Sequence, residues 1–196
     1  MATLTAIENV TLDGVMQAPA APDEDPRGDF EHGGWGAAYS DEVAMRVAAE
    51  GMAREGALLL GRLTYERFHR TWAGRTDNPF SPVLDARRKY VASRTLSEPL
   101  PWQNSTLLTG PAPQAVAELK ATAPEQDLAI LGSGVLVREL LAADLVDELQ
   151  LSIHPLVLGT GTRLFADGGR RLPFELARSV TTTTGVIIAT YRRARG

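Results

Sequence analysis

Three short stretches carry the residue types that hold an anion. Gly132-Ser133-Gly134 follows the apolar run Asp127-Leu131 and precedes an amphipathic segment. Small residues at such a strand-to-helix turn let backbone N–H groups approach an oxygen ligand at the positive end of a helix dipole. The same tripeptide also serves as an ordinary tight turn. Gly61-Arg62-Leu63-Thr64 forms a second junction, after the apolar run Ala57-Leu60. Arg62 falls in the first turn of the coming helix, where the dipole disfavours a cation. An anion between helix and guanidinium would resolve that conflict, and Thr64 adds a hydroxyl. The third stretch, Ser93-Arg94-Thr95, ends the run that begins at Lys89.

Other candidates lie outside these junctions. Asp13 sits in Leu12-Asp13-Gly14 after the first predicted strand, and is a candidate for substrate contact or proton relay as well as for capping its own turn. Residues 15 to 39 read as a long loop rich in proline, glycine and acids, which in a compact domain is functional or mobile. It ends in His32-Gly33-Gly34-Trp35-Gly36. His32 titrates in a useful range. Trp35 either lids the core or walls a ligand pocket, where it could stack on a planar heterocycle. His154, before a proline, reads as structural, and Asp147-Glu148 as facing solvent or a partner copy.

The elements that must position these residues follow from periodicity. Strands are expected at 3–9, 57–60, 89–93, 106–109, 127–131 and 148–154, alternating with helical patterns. Ser40 is the expected N-cap of a helix buried through Val43, Val47 and Gly51 with Ala44, Ala48 and Met52. Residues 73 to 87, with Pro79 and Pro82, read as a loop. Phe174-Thr182 and Val186-Arg193 read as a terminal antiparallel pair around Thr184-Gly185. The pattern is that of an α/β domain with a mostly parallel sheet. Right-handed crossovers put the C-terminal strand ends on one edge, where such sheets bind ligands. Three anion-binding junctions on that edge, two with arginine, suit a dinucleotide with an additional ribose phosphate, hence NADP rather than NAD.

Bulk properties exclude other classes. The chain has 196 residues, 44 % of them hydrophobic, which suits one domain with a sizeable core. A net charge of −4 and no basic run longer than Arg87-Arg88-Lys89 argue against nucleic acid or an anionic membrane surface. There is no cysteine, so no disulfide, thiolate metal site or thiol nucleophile. No apolar run approaches a membrane span, so a cytoplasmic protein is expected.

These residues also carry a family resemblance. Gly61-Arg62-Leu63-Thr64-Tyr65-Glu66, Val91-Ala92-Ser93-Arg94-Thr95-Leu96 and Ile130-Leu131-Gly132-Ser133-Gly134 resemble segments of dihydrofolate reductases. Thr11-Leu12-Asp13-Gly14, Leu145-Val146-Asp147-Glu148-Leu149 and His154-Pro155-Leu156-Val157-Leu158-Gly159-Thr160-Gly161 with Leu164-Phe165 resemble the C-terminal reductase domain of the bifunctional riboflavin-biosynthesis deaminase-reductase. The similarity extends over essentially the whole chain, 1–196, and includes a segment like His32-Trp35. It implies a dihydrofolate-reductase-like three-layer fold: a central, mostly parallel sheet with a C-terminal antiparallel hairpin, binding NADPH. Carried over by position, Leu60 and Gly61 would back the cofactor, and Arg62 and Thr64 would hold its pyrophosphate and ribose-phosphate side. Ser93 and Arg94 would grip the adenosine 2′-phosphate, while Gly132, Ser133, Gly134 and Val135 would cradle the pyrophosphate. A homodimer acting on a small-molecule substrate is the implied assembly.

The substrate side departs from both relatives. Asp41, Glu42 and Glu50 match no dihydrofolate-reductase motif in the first helix, and APDEDP at 21 to 26 replaces the Asp-Asn-Pro segment of the riboflavin enzyme. No deaminase zinc motif is present. Three readings follow: a reductase of a small heterocyclic or carbonyl substrate, a non-catalytic NADP-binding regulator, or a structural dimer module.

Overall fold

The computed structural model describes residues 2–165 and 167–194. Among the described residues eight strands and five α-helices follow one another in the order β1 (Leu4–Thr11), α1 (Glu42–Ala53), β2 (Ala57–Gly61), α2 (Arg62–Trp72), α3 (Phe80–Ala86), β3 (Lys89–Ala92), β4 (Ser105–Leu108), α4 (Ala112–Thr122), β5 (Leu128–Leu131), α5 (Gly134–Ala142), β6 (Glu148–His154), β7 (Phe174–Thr181) and β8 (Ile187–Arg193). The strand order is β4-β3-β2-β5-β1-β6-β8-β7. β4, β3, β2 and β5 pair in parallel, whereas β6, β8 and β7 are antiparallel. This is the expected α/β fold with a C-terminal antiparallel hairpin.

By its internal contacts the chain divides into two compact units, Met1–Ala6 with Met52–Asp147, and Ile7–Gly51 with Glu148–Gly196. In the first, β2 is buried at every position from Ala57 to Leu60, as a central parallel strand must be. Leu58, Leu60, Tyr65, Leu84, Val91 and Trp102 form its core cluster. The inward face of α5 is Leu136, Val137, Leu140 and Leu141, two stripes at helical spacing.

A buried lysine organises one end of this unit. Lys89 is fully buried, and its Nζ donates to the carbonyls of Leu84 at 2.7 Å, Asp85 at 3.3 Å and Arg87 at 2.6 Å. It also stands 4.5 Å from the Trp102 ring centroid. Trp102 in turn donates its indole N–H to Asp85 Oδ1 at 2.6 Å and its backbone N–H to the Tyr65 hydroxyl at 3.0 Å. Lys89 therefore caps the carbonyl end of α3. The helix itself corrects the expected loop over 73–87. Pro79 precedes it and Pro82 lies in its first turn, where a missing N–H costs nothing, so two prolines mark a start and not a break.

In the second unit the 15–39 segment is packed down. Val15, Ala18, Phe30 and Trp35 form a buried cluster covered by Leu156 and Leu158. Gly33 crosses so near Pro22 that an added Cβ would lie 2.2 Å from its carbonyl oxygen, and Gly161 leaves room for the Phe30 ring. The cap of α1 is Asp41 in place of Ser40: its Oδ1 accepts from Ala44 N–H at 2.8 Å, while Oδ2 accepts from Thr183 N–H and Oγ1, both at 2.6 Å. Those donors hold the Asp41 carboxyl below its usual range, with Thr183 the largest cause. No residue of α1 is fully buried; Val43, Ala44, Val47, Gly51 and Met52 are half-buried and Ala48 is exposed. Helix spacing fixes which side faces in but not how much else covers it.

Candidate functional site: a phosphate cradle and a clamped loop

The three junctions lie together in the first unit. β3 and β5 flank β2 in parallel, with Gly61 level with Ala92 and Leu58 level with Ala129. Ser93 and Arg94 therefore follow β3 beside the end of β2, and Gly132 to Gly134 follow β5 on its other side. A hydrogen bond from Gly61 N–H to Ser133 Oγ, at 3.0 Å, joins two of the junctions directly. A Cβ added to Gly132 would lie 3.9 Å from Thr64 Cγ2, so Thr64 faces the same turn.

The local backbone explains the residue types. Gly132 and Ser133 both have positive φ, 67° and 63°, so Ser133 is a serine in the left-handed region at the N-terminus of α5. No side chain caps that helix. The N–H groups of its first turn, from Gly134 onward, have no intrahelical acceptor and point past the helix end. Ser133 Oγ accepts from Gly61, which leaves its hydroxyl proton to donate. Val135, in the same turn, is 56 % exposed, as a cradle open to a ligand needs. This donor set fits a phosphate.

The two arginines differ. Arg62 pairs with Glu66 one turn on, Nη1 to Oε2 at 3.2 Å, and both remain partly exposed. The carboxylate offsets the unfavourable dipole, so no anion is needed to explain a cation in that first turn. Arg94 is exposed and makes no hydrogen bond or ion pair with any described residue. Beside it, Ser93 Oγ accepts from the N–H groups of Thr95 at 3.1 Å and Leu96 at 3.0 Å, which fixes the bend that presents the guanidinium.

Asp13, His32 and Trp35 belong to the second unit. Asp13 is a clamp. Its carboxylate accepts from Thr11 Oγ1 at 2.6 Å, Gly159 N–H at 2.9 Å and Leu158 N–H at 3.2 Å, with Arg163 Nη2 3.6 Å away. The Thr11 hydroxyl first, then the two backbone donors, lower its pKa from 3.8 to about 2. At neutral pH it has no proton to give. A depressed carboxyl stabilises the fold above its unfolded pKa and loses that contribution as pH falls through the folded value. The native protein is thus expected to lose about 2 kcal/mol between about pH 4 and pH 2. Asp13→Asn should flatten that limb in urea titrations at stepped pH; an unchanged limb would remove the clamp.

Trp35 is buried, its indole N–H donating to Gln17 O at 2.7 Å and its ring meeting His154 edge-on at 5.0 Å. His32 is exposed and touches the Phe30 ring edge at 5.7 Å. His154 is held by Asn9, and burial lowers its pKa. Asp147 and Glu148 do not face solvent freely: Asp147 binds Lys120 Nζ and Leu4 N–H, and Glu148 binds Arg192 at 2.8 Å.

Sequence reasoning passed over Glu8. It lies on the β1 face of Leu4, Ala6 and Val10, is 4 % exposed, and its Oε1 is buried without a hydrogen-bond partner. Burial alone raises its pKa to about 8. The signal was an acid at an inward position of an alternating strand.

The fold is that of a dihydrofolate-reductase-like α/β protein, with the three junctions gathered on one edge of the parallel strands. Within that class the chain belongs to the family of RibD C-terminal domains, whose model matches residues 2–188. It is 32 % identical over 119 residues to the uncharacterized protein YyaP of Bacillus subtilis (strain 168), a match taking in 59 % of this chain and 60 % of that protein. A candidate riboflavin biosynthesis protein from Shewanella sp. PV-4 has the same fold, with a TM-score of 0.69 at 23 % identity over 98 % of this chain and 99 % of that one. Acinetobacter baumannii RibD superposes with a TM-score of 0.66 at 15 % identity, and this chain, covered in full, spans 59 % of its length. Dihydrofolate reductase from Enterococcus faecalis, solved with NADP(H), gives 0.59 at 17 % identity over 98 % of this chain and 97 % of that one. Among the described residues no helix is long and apolar enough to cross a membrane.

Proposed function

We propose that the chain is an NADPH-dependent reductase of a small heterocyclic or carbonyl compound, of the kind acted on by 5-amino-6-(5-phosphoribosylamino)uracil reductase. The observation that carries this reading is the cradle, where Ser133 bridges two adjacent strand ends beside an unpaired arginine. Gly132, Ser133, Gly134 and Val135 hold the pyrophosphate through the first turn of α5. Leu60, Gly61 and Thr64 line the neighbouring junction, and Ser93 and Arg94 take the 2′-phosphate. Arg62, tied to Glu66, supplies background positive charge. When bound, NADPH supplies a hydride for the electrophilic carbon of the substrate. The chain's part is to fix the distance and angle of approach and to deliver a proton to the neighbouring heteroatom. Asp13 shapes the 154–163 loop, and His32 and Trp35 stand beside it as candidate substrate contacts. A homodimer remains the assembly proposed from the family.

Calorimetric titration with NADPH tests the reading. Binding in the micromolar range is expected, weakened about 10-fold in Ser133→Ala, which loses one hydroxyl donor and the acceptor for Gly61. No heat at millimolar NADPH would overturn it and favour the structural-module reading. Oxidation of NADPH across pterins, aminopyrimidines and aldehydes then separates a reductase from a regulator.

A further inference from the structure

We propose that Lys89 and Lys120 are acylation sites exposed only when the first unit opens, so that activated acyl donors mark non-native molecules and leave native ones unmarked. The inference does not rest on the reductase reading. Of the 20 lysines and arginines in the chain two are lysine, Lys89 and Lys120, and both belong to the first unit. Lysine is ordinarily among the most exposed residue types. Here Lys89 is fully buried and Lys120 is 9 % exposed. Each ammonium is tied down as well as covered. Lys89 Nζ donates to the carbonyls of Leu84 and Arg87 at 2.7 and 2.6 Å, beside the Trp102 ring. Lys120, in the last turn of α4, donates to Leu145 O at 3.1 Å and to the Asp147 carboxylate. Asp147 in turn accepts from Leu4 N–H and donates its own N–H to Leu4 O. Surface cations such as Arg27, Arg75 and Arg192 are arginines, whose guanidinium stays protonated and does not take an acyl group. The folded chain therefore offers no open ε-amino group.

The step is acyl transfer from a thioester or an acyl phosphate. The neutral lysine nitrogen attacks the acyl carbon, the C–N bond forms, the C–S or C–O bond breaks, and thiolate or phosphate leaves. The proton lost by nitrogen goes to water, and nothing is oxidised or reduced. Attack needs an open path to Nζ, which Lys89 gains only when α3 and Trp102 come away from β3. Leu84 and Trp102 belong to the core cluster with Leu58, Leu60, Tyr65 and Val91, so exposing Lys89 means opening the unit. Lys120 needs a smaller event, the parting of α4 from the 145–147 segment. The product at Lys89 does not fit the native site. An acyl-lysine has one N–H and no charge where an ammonium met the carbonyls, and it adds atoms where no surface is exposed. Acylation there draws molecules out of the folding equilibrium. At Lys120 it removes the ion pair with Asp147.

Acetyl phosphate at about pH 8 is the probe, with the sites read by peptide mass spectrometry in native protein and in protein unfolded by urea. Relative to the unfolded chain, Lys89 is expected to react about 1000-fold or more slowly in native protein, and Lys120 about 10-fold or more slowly. Protonation works the other way. Burial pulls the Lys89 pKa to about 8, so more of it is neutral at that pH than in the unfolded chain, and slow reaction reads closure. As urea rises, Lys89 acetylation should track global unfolding by circular dichroism, and Lys120 acetylation should rise earlier. Lys120→Arg keeps a cation beside Asp147 and leaves Lys89 as the one ε-amino group. Acetylated in urea and then diluted, this variant should fail to regain the near-ultraviolet dichroism that its unacetylated form recovers. Lys89 slowed by less than about 10-fold in native protein, or Lys120 not slowed at all, overturns the proposal, and so does an acetylated variant that refolds to native stability. Where the unacetylated chain does not return from urea, the native-state rates alone decide, because they measure whether the amines are closed. Failure of NADPH to bind would overturn the reductase reading and leave these outcomes unchanged.

Discussion

Replacing Lys89 with methionine is expected to lower the free energy of unfolding by about 3 kcal/mol, read from the urea midpoint at constant slope. Methionine keeps most of the volume, so the packing against Trp102 survives and the loss comes from polar groups. The carbonyls of Leu84, Asp85 and Arg87 would face a thioether that donates nothing. Orphaned buried acceptors cost about 1–3 kcal/mol each. Part of that is offset, because the ammonium no longer has to be dehydrated. Burial pulls the Lys89 pKa from 10.5 to about 8, a shift of about 3 kcal/mol in opposition to the charged form. The carbonyls win by a few kcal/mol because those of Leu84 and Arg87 lose their short bonds together, whereas the Asp85 carbonyl keeps the Asn104 amide as a donor at 3.1 Å. The depressed pKa fixes a second signature: the native protein should gain stability as pH rises from about 8 to about 10.5, and Lys89→Met should not. A variant as stable as the native protein would show that the lysine is a burden its neighbours merely tolerate.

Arg94→Ala should raise the Kd for NADPH about 30-fold and leave NADH within about 2-fold, the worth of one charge-assisted contact to a phosphate. The geometry favours a large effect, since the guanidinium has no partner among the described residues to give up on binding. Arg62, shared with Glu66, should discriminate far less when changed to alanine. Raising the salt concentration should erode the NADPH preference, because the contact is exposed. Equal losses for the two nucleotides would remove Arg94 from the 2′-phosphate.

The parallel half of the fold was legible because its signals are local. Ala57-Leu60 and Asp127-Leu131 are apolar runs ended by glycine, and the stripes of α5 repeat at helical spacing. The meeting of Gly61, Ser93 and Gly132 followed from topology, since adjacent parallel strands end on one edge. What escaped was decided by long-range contacts. Asp41 outcompetes Ser40 as a cap because it also serves the Thr183 turn, 142 residues away. α3 hid behind two prolines, and the lysine that closes it lies outside the helix. Trp35 looks like a loop aromatic until Gln17 takes its N–H and His154 meets its ring in a T-shaped contact. Glu8 was readable in principle, as an acid on the apolar side of an alternating strand.

The stitching of β1 also bears on how the molecule is made. Thr3 N–H is held by Asp127 and Leu4 N–H by Asp147, partners 124 and 143 residues further along. The other end of the strand leads to Asp13, bound to Gly159 across 146 residues. During synthesis these partners of the first strand leave the ribosome only after residues 127 to 159 have been made. Contacts of such span tie folding to slow chain closure, so refolding from denaturant should take milliseconds or longer.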